Sequence, residues 1–399
     1  MAKRGLSVDD AKSPSKKRAK SGAQSRLDTF FNTSPTKPRL TQSNASSPAT
    51  QQVDGAGDTV SQPFVIDVDA NDVEKPAQPK YSTSTPKGKG KEIQRQLIHT
   101  KTRPLQFAPL DIDPVTYSPE QPWLTTGAPY AFLAHALSTL SSTRSRISIV
   151  NTLTNCLHTI IVKHPESLLP SLYLLSNTIA PPYASIELGL GPSIISRAIQ
   201  NVSGATPATL KRLYNTLGDP GDVALAVKSN IQTLIPHPPL TISTVYTSLR
   251  KVAQAKGQGA TKQKEKIVEK LLLSAQGEEV RYLTRTLGQN IRAGSVRTSM
   301  LTALARSAVL YYVSPEVGDG DVDVQVSSAL LSEARKTSLD VKKKTLDSAR
   351  VKLNEIFTRA EGLVKGVFVK HPNYDDIVAA ILSTGLLDLK DRVPLTIGP

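Results

Sequence analysis

The sequence predicts an all-α protein, one body of about ten to twelve helices behind a long polar arm. Three observations lead there. From about residue 102 onward, apolar residues recur three and four apart in segment after segment, and no segment sustains an alternation of period two. Proline and glycine close these segments at short intervals, so the connections are short. Residues 1–101 lack the periodicity and are rich in Ser, Pro, Thr, Lys and Gln.

The arm comes first. Such a composition cannot bury enough apolar surface to offset chain entropy, so residues 1–101 are expected to be disordered. Three islands stand out in it. Lys3-Arg4 and Lys16-Lys17-Arg18 form two basic clusters eleven residues apart. They resemble a bipartite nuclear-import signal of the kind importin reads in two acidic grooves, which predicts a nuclear protein. Gln24, Leu27, Phe30 and Phe31 fit Q-x-x-[LIM]-x-x-[FY]-[FY], the PCNA-interacting box. One helical turn puts Leu27, Phe30 and Phe31 on one side as a plug for a partner's pocket, and the polar arm offers them no core to join. Val65, Ile66 and Val68, flanked by acids, resemble a SUMO-interacting strand; chance in a long tail explains them equally well.

In the body, the 3.6-residue period predicts helices in turn. Ala128–Thr139 turns Phe132, Leu133, Ala136 and Leu140 inward. Ile147–Lys163 ends at His164-Pro165, and Leu168–Thr178 is stopped by Pro181-Pro182. Pro192–Val202 follows, then Thr206–Leu217 with Pro207 at its first position. Asp222–Leu234 is closed by Pro236. Thr241–Ala255 carries Val245, Leu249 and Val252 on one stripe, and Thr261–Ser274 carries Ile267, Val268, Leu271 and Leu272. Val280, Leu283, Leu287 and Ile291 make one helical stripe, with Arg281 and Arg285 sharing a face beside it. Gly294 is expected to end that helix in the left-handed region and Ser295 to cap the next, whose stripe is Met300, Leu301, Leu304, Ala308 and Val309. Ala329–Thr337, Lys342–Glu361 and Tyr374–Ser383 complete the set.

Charge narrows the function classes. The chain carries net +15, unevenly spread. Residues 1–101 hold +7, residues 102–243 hold +1, residues 244–312 hold +8 and residues 313–399 hold −1. Positive charge concentrated on one part of a folded body is the footprint of a polyanion partner, although a solvated basic face would look the same. No apolar run reaches the ~18 residues that span a bilayer, so no membrane partner is expected. One cysteine, Cys156, in an apolar setting excludes a disulfide framework and reads as a buried small hydrophobe. The histidines are scattered without metal-ligand spacing, and Gly318–Val324 has no Glu where a calcium loop needs one. There is no G-x-x-x-x-G-K-[ST] loop and no G-x-S-x-G elbow. The expected metal and catalytic residue sets are therefore empty.

Two stretches remain as candidate anion sites. Lys256, Gly259, Thr261, Lys262 and Lys264 lie in a Gly-rich turn where a backbone can approach a phosphate, with Thr261 as the expected cap of the following helix. Arg292 and Gly294 occupy the joint between two helices, with Arg285 one face away. An exposed basic hairpin and an ordinary helix corner are the alternatives.

Here the residues carry a resemblance. Leu283–Gly294 (LTRTLGQNIRAG) and the following helix that ends in Ala303-Leu-Ala-Arg306 look like the DNA-binding domain of eukaryotic ATP-dependent DNA ligases. Gly218-Asp-Pro-Gly-Asp222, the turn from Gly257 to Lys262, Ser332–Thr337 and Val364–Phe368 agree with it. With the import clusters and clamp box ahead, the likeness is to the replicative, DNA ligase I type. It implies an all-helical DNA-binding domain over 102–395 and a partner that is nicked double-stranded DNA, met during replication and repair. By the same resemblance, contact is carried to Gly259, Thr261, Lys262, Arg285, Arg292 and Gly294. ATP and Mg are implied only for a catalytic domain, because no Lys here is followed by x-Asp-Gly, the frame of the adenylated lysine. The chain alone is therefore expected to bind DNA and clamp without sealing nicks; a fragment, a truncated gene model and one piece of a split enzyme all fit. A non-catalytic helical scaffold recruited to the clamp is the alternative function.

Overall fold

The computed structural model describes residues 105–123, 127–229, 237–294, 296–314, 324–337 and 348–393. The import clusters, the Gln24–Phe31 box, the Val65–Val68 island, the acidic run 318–323 and Ser295 lie outside these residues. Among the described residues there are fourteen α-helices and one pair of two-residue strands.

The helices are α1 (Tyr130–Ser142), α2 (Arg146–Lys163), α3 (Leu168–Leu175), α4 (Pro192–Ser203), α5 (Pro207–Leu217), α6 (Pro220–Lys228) and α7 (Ile242–Gln254). They continue as α8 (Ala260–Ser274), α9 (Glu278–Leu287), α10 (Val296–Tyr311), α11 (Ser328–Thr337), α12 (Ser348–Lys370), α13 (Tyr374–Thr384) and α14 (Leu389–Arg392). Strands β1 (Val313–Ser314) and β2 (Val326–Ser327) pair in parallel.

The core forms around α2 and α10, which pack on each other and bury residues on nearly every side. A helix apolar all round belongs in the interior. Its polar residues then need internal partners. Asn155 of α2 donates to the carbonyls of Leu110 and Ile112 at 2.8 and 2.9 Å, and Thr159 shares a 2.7 Å hydrogen bond with the Tyr117 hydroxyl. These contacts pin the 105–117 segment across α2. Cys156 is fully buried there, and burial pushes its thiol up. Helix α10 also packs on α12.

The inward residues expected from periodicity are inward. Phe132, Leu133, Ala136, Leu140, Val245, Leu249, Val252, Val268 and Met300 are all at most 1% exposed. Several helix ends differ from expectation. Helix α6 starts at Pro220 rather than Asp222, because Asp219 caps it by accepting from the Asp222 N–H at 3.0 Å and proline suits a first turn. It ends at Lys228, short of the expected Leu234. Helix α12 runs on to Lys370, nine residues past the expected Glu361, on a buried stripe that continues through Val364, Val367 and Phe368. Helix α9 stops at Leu287, and Ile291 reaches the core from outside the helix.

Candidate nucleic-acid interface

Two exposed features flank the α8–α9 unit, at the ends farthest from its Ala275–Gly277 link. The first is the turn before α8. Ala255 is buried, and Lys256, Gly257, Gln258 and Gly259 are exposed. Gly257 and Gly259 both lie in the left-handed region, with φ of 83° and 82°. An L side chain is strained there, so glycine at these places answers a backbone requirement. Gly259 is the N-cap of α8 and has no side chain to offer, so no side chain caps the first-turn N–H groups. Thr261 is therefore not the cap expected from sequence. It sits exposed inside the first turn beside exposed Lys262. An open helix N-terminus with Lys256 and Lys262 around it favours an anion.

Lys264 behaves differently. Its Nζ donates to the carbonyls of Leu188 and Gly189 at 2.8 and 3.0 Å, and its side chain is half-buried. It ties α8 to the loop before α4 and holds the turn in place from behind.

The second feature is the corner between α9 and α10. Helix α9 ends in a Schellman arrangement: the Asn290 N–H donates to the Arg285 carbonyl at 2.9 Å, and the Gln289 N–H to the Thr286 carbonyl at 3.1 Å. The left-handed residue is Gln289, with φ of 55°, and a second follows at Arg292, with φ of 53°. Sequence reasoning expected Gly294 in that role. Gly294 is exposed, does not have a positive φ, and has open space where a Cβ would be.

Arg285 does not face outward, as groove contact requires. It is 8% exposed, and its Nε donates to Asp219 at 2.9 Å. A charge beside an apolar stripe is stable only when paired, and the start of α6 provides the pair. Arg281 meets Asp222 at 2.6 Å and Glu278 at 2.5 Å. Arg292 meets the other oxygen of Asp219 at 3.1 Å and donates to the Gly218 carbonyl at 2.8 Å, with 45% of its side chain exposed. Three arginines thus face three carboxylates, and the cluster sums to zero charge. Arg297, also at this joint, donates to the Ser176 carbonyl at the end of α3.

Close helix contact makes the network possible. A Cβ on Gly221 of α6 would lie 2.7 Å from the Arg281 carbonyl oxygen and 2.9 Å from Arg285 Cγ. Below the link, Lys228 reaches from α6 to the carbonyls of Leu272, Leu273 and Ala275 at the end of α8. Burial pushes Lys228 down to about 8, against the pull of Glu279. Burial likewise raises Glu279 to about 7, offset by the Gln276 N–H.

Of the sequence-derived residues, Lys256, Gly259, Thr261, Lys262, Arg292 and Gly294 are exposed on these two features, Lys264 is half-buried and Arg285 is buried. Sequence reasoning missed Asp219 and Asp222 as partners of the arginines. The signal was present in Gly218-Asp-Pro-Gly-Asp222, where Asp then Pro reads as cap and first turn.

The helical body thus presents an uncapped helix end beside exposed lysines and an ion-paired arginine corner. Residues 129–305 match the family described as DNA ligase N terminus. The chain is similar to DNA ligase 3 of Schizosaccharomyces pombe, 36% identical over 269 residues that make up 67% of this chain and 31% of that one. It is also similar to DNA ligase 6 of Arabidopsis thaliana, 36% identical over 46% of this chain and 13% of that one. DNA ligase 1 of Arabidopsis thaliana is 31% identical over 68% of this chain and 30% of its own length. The chain spans about a third or less of these curated relatives. The matched body belongs to the DNA ligase N-terminal domain family. Within that family it is an N-terminal region of the eukaryotic ATP-dependent class.

Proposed function

We propose that this chain grips nicked duplex DNA through its backbone and minor groove, as the DNA-holding region of a nuclear ATP-dependent ligase acting in replication and repair. The observation that carries the reading is the open N-terminus of α8. Two left-handed glycines, uncapped N–H groups and exposed Lys256 and Lys262 sit within the segment that holds +8. Such a site binds phosphate without reading bases. Arg292 and Gly294 at the corner form the second point of contact, and Arg285 supports the corner from inside. Gln24, Leu27, Phe30 and Phe31 dock on the sliding clamp, Lys3, Arg4, Lys16, Lys17 and Arg18 engage importin, and Val65, Ile66 and Val68 engage SUMO. ATP and Mg belong to nucleotidyl transfer, which these residues do not perform.

Fluorescence anisotropy with labelled nicked duplex tests this. Affinity is expected to fall linearly on a log–log salt plot, with little dependence on sequence. Lys262→Ala and Arg292→Ala should each weaken binding more than Lys352→Ala or Lys365→Ala on α12. Equal losses at all four positions would remove the assignment of the grip. Salt-independent binding, or none, would overturn the function.

A further inference from the structure

Arg292 sits in an ion-pair cluster that sums to zero charge, and this points to a role other than attraction. We propose that Asp219 is a positioning residue: it holds Arg292 and the α9–α10 corner in a preset shape, so that the corner contributes fit and the α8 turn contributes charge. The inference rests on the DNA-gripping reading above.

The geometry supports it at each step. Asp219 is 1% exposed and is fixed from three directions. One oxygen caps α6 through the Asp222 N–H and accepts from Arg285 Nε, and the other faces Arg292 Nε at 3.1 Å. A carboxylate fixed in this way cannot swing with its partner. Arg285 in turn lends its carbonyl to the Schellman bond that turns the chain into the corner. Arg292 is thus constrained twice: its backbone sits in the left-handed region, and its guanidinium donates to the Gly218 carbonyl while forming an ion pair with Asp219. A free arginine must be ordered on binding, and one held in advance avoids that loss. Nearly half of the Arg292 side chain stays exposed, and a guanidinium carries five N–H donors, so the fork keeps donors to offer a phosphate. Lysine lacks the rigid planar fork: its ammonium meets two acceptors only where both lie around one nitrogen.

The test uses the full chain, labelled nicked duplex and a salt series. Arg292→Lys keeps the charge and loses the preset fork. We expect about fivefold weaker binding with the salt slope of the wild type, the size of loss that ordering one long side chain brings. Asp219→Asn keeps the shape of the side chain and loses the charge that holds Arg292; it is expected to bind about fivefold more weakly although it is one charge more positive. Lys262→Ala, by contrast, should reduce the salt slope by about one. Binding by Arg292→Lys equal to wild type overturns the inference, as does Asp219→Asn binding equally or more tightly. Where a melting curve finds Asp219→Asn unfolded, Arg292→Lys alone decides. No binding by the wild type defeats the DNA-gripping reading itself and takes this inference with it.

Discussion

The α8 turn and the α9–α10 corner are both arginine- or lysine-rich, and both were candidate anion sites, yet they are built in opposite ways. The turn is exposed, uncapped and unpaired at Lys256 and Lys262, and its backbone is shaped by glycine. The corner is shaped by non-glycine residues at positive φ and held by a partly buried network of three arginines and three carboxylates that sums to zero charge. The lesson is that a cluster of cations in sequence is not yet a positive surface. Net charge reaches solvent only where the fold withholds partners, and at the corner α6 supplies them.

The contrast can be broken most strongly at Asp219. Removing it takes away the nearer carboxylate of Arg285 and the cap of α6, leaving only Asp222 at 3.4 Å, so Asp219→Ala should lower stability by about 3 kcal/mol. Lys262→Ala in the turn should stay within about 0.5 kcal/mol. Urea denaturation of the two variants checks this, and similar midpoints would show that the corner is not held by the ion pair.

Gly221→Ala attacks the same contact by size rather than charge. The added methyl meets the Arg281 carbonyl and Arg285 Cγ. Overpacking of this kind costs about 1–3 kcal/mol, and a melting temperature equal to wild type would mean that α6 and α9 can separate freely.

Next comes the link between the two features, which is sensitive to pH. The Glu279 carboxyl is raised from 4.5 to about 7 in the folded protein. Between those values the folded state binds a proton that the unfolded state has released, so stability falls as pH rises through that window. Lys228 has the complementary sign. It is lowered from 10.5 to about 8, so across that range the unfolded state keeps the extra proton and stability rises with pH. Glu279→Gln should flatten the acid-side decline while keeping the amide oxygen as acceptor for the Gln276 N–H. Melting temperatures at pH 5 and pH 7.5 for wild type and variant read it directly, and parallel declines would exclude Glu279 as the cause.

The smallest effect is expected at the end of α9. Gln289 occupies a left-handed position that glycine adopts without strain. Gln289→Gly should gain about 0.5 kcal/mol, the relief of strain less the added chain entropy. A loss would show that the Gln289 side chain contributes more to the corner than its conformation costs.

How much of this was legible beforehand depends on range along the chain. The α10 stripe was readable because its residues meet the core by periodicity alone, and Met300 and Leu304 are fully buried as expected. The Lys256–Lys262 turn was readable because glycines and lysines advertise both its conformation and its charge. Two helix ends differ from expectation: Gly259 rather than Thr261 holds the N-cap position of α8 without capping it, and Gln289 rather than Gly294 is left-handed after α9. At α8 two residues of suitable type lay close together, and propensity does not choose between near neighbours; at α9 the hydrogen bonds that close the helix end set Gln289 at positive φ against its propensity.

Arg285 marks the other boundary. Its helix and its face were fixed by local spacing, and a shared face with Arg281 is what the structure has. Which way that face looks was decided by Asp219, 66 residues away, arriving with α6. By itself the sequence determined the helical class, the inward stripes and the concentration of positive charge in 244–312, because these follow from residue type and period. Only the tertiary structure decided which of those charges remain free, because an ion pair depends on what the fold brings alongside.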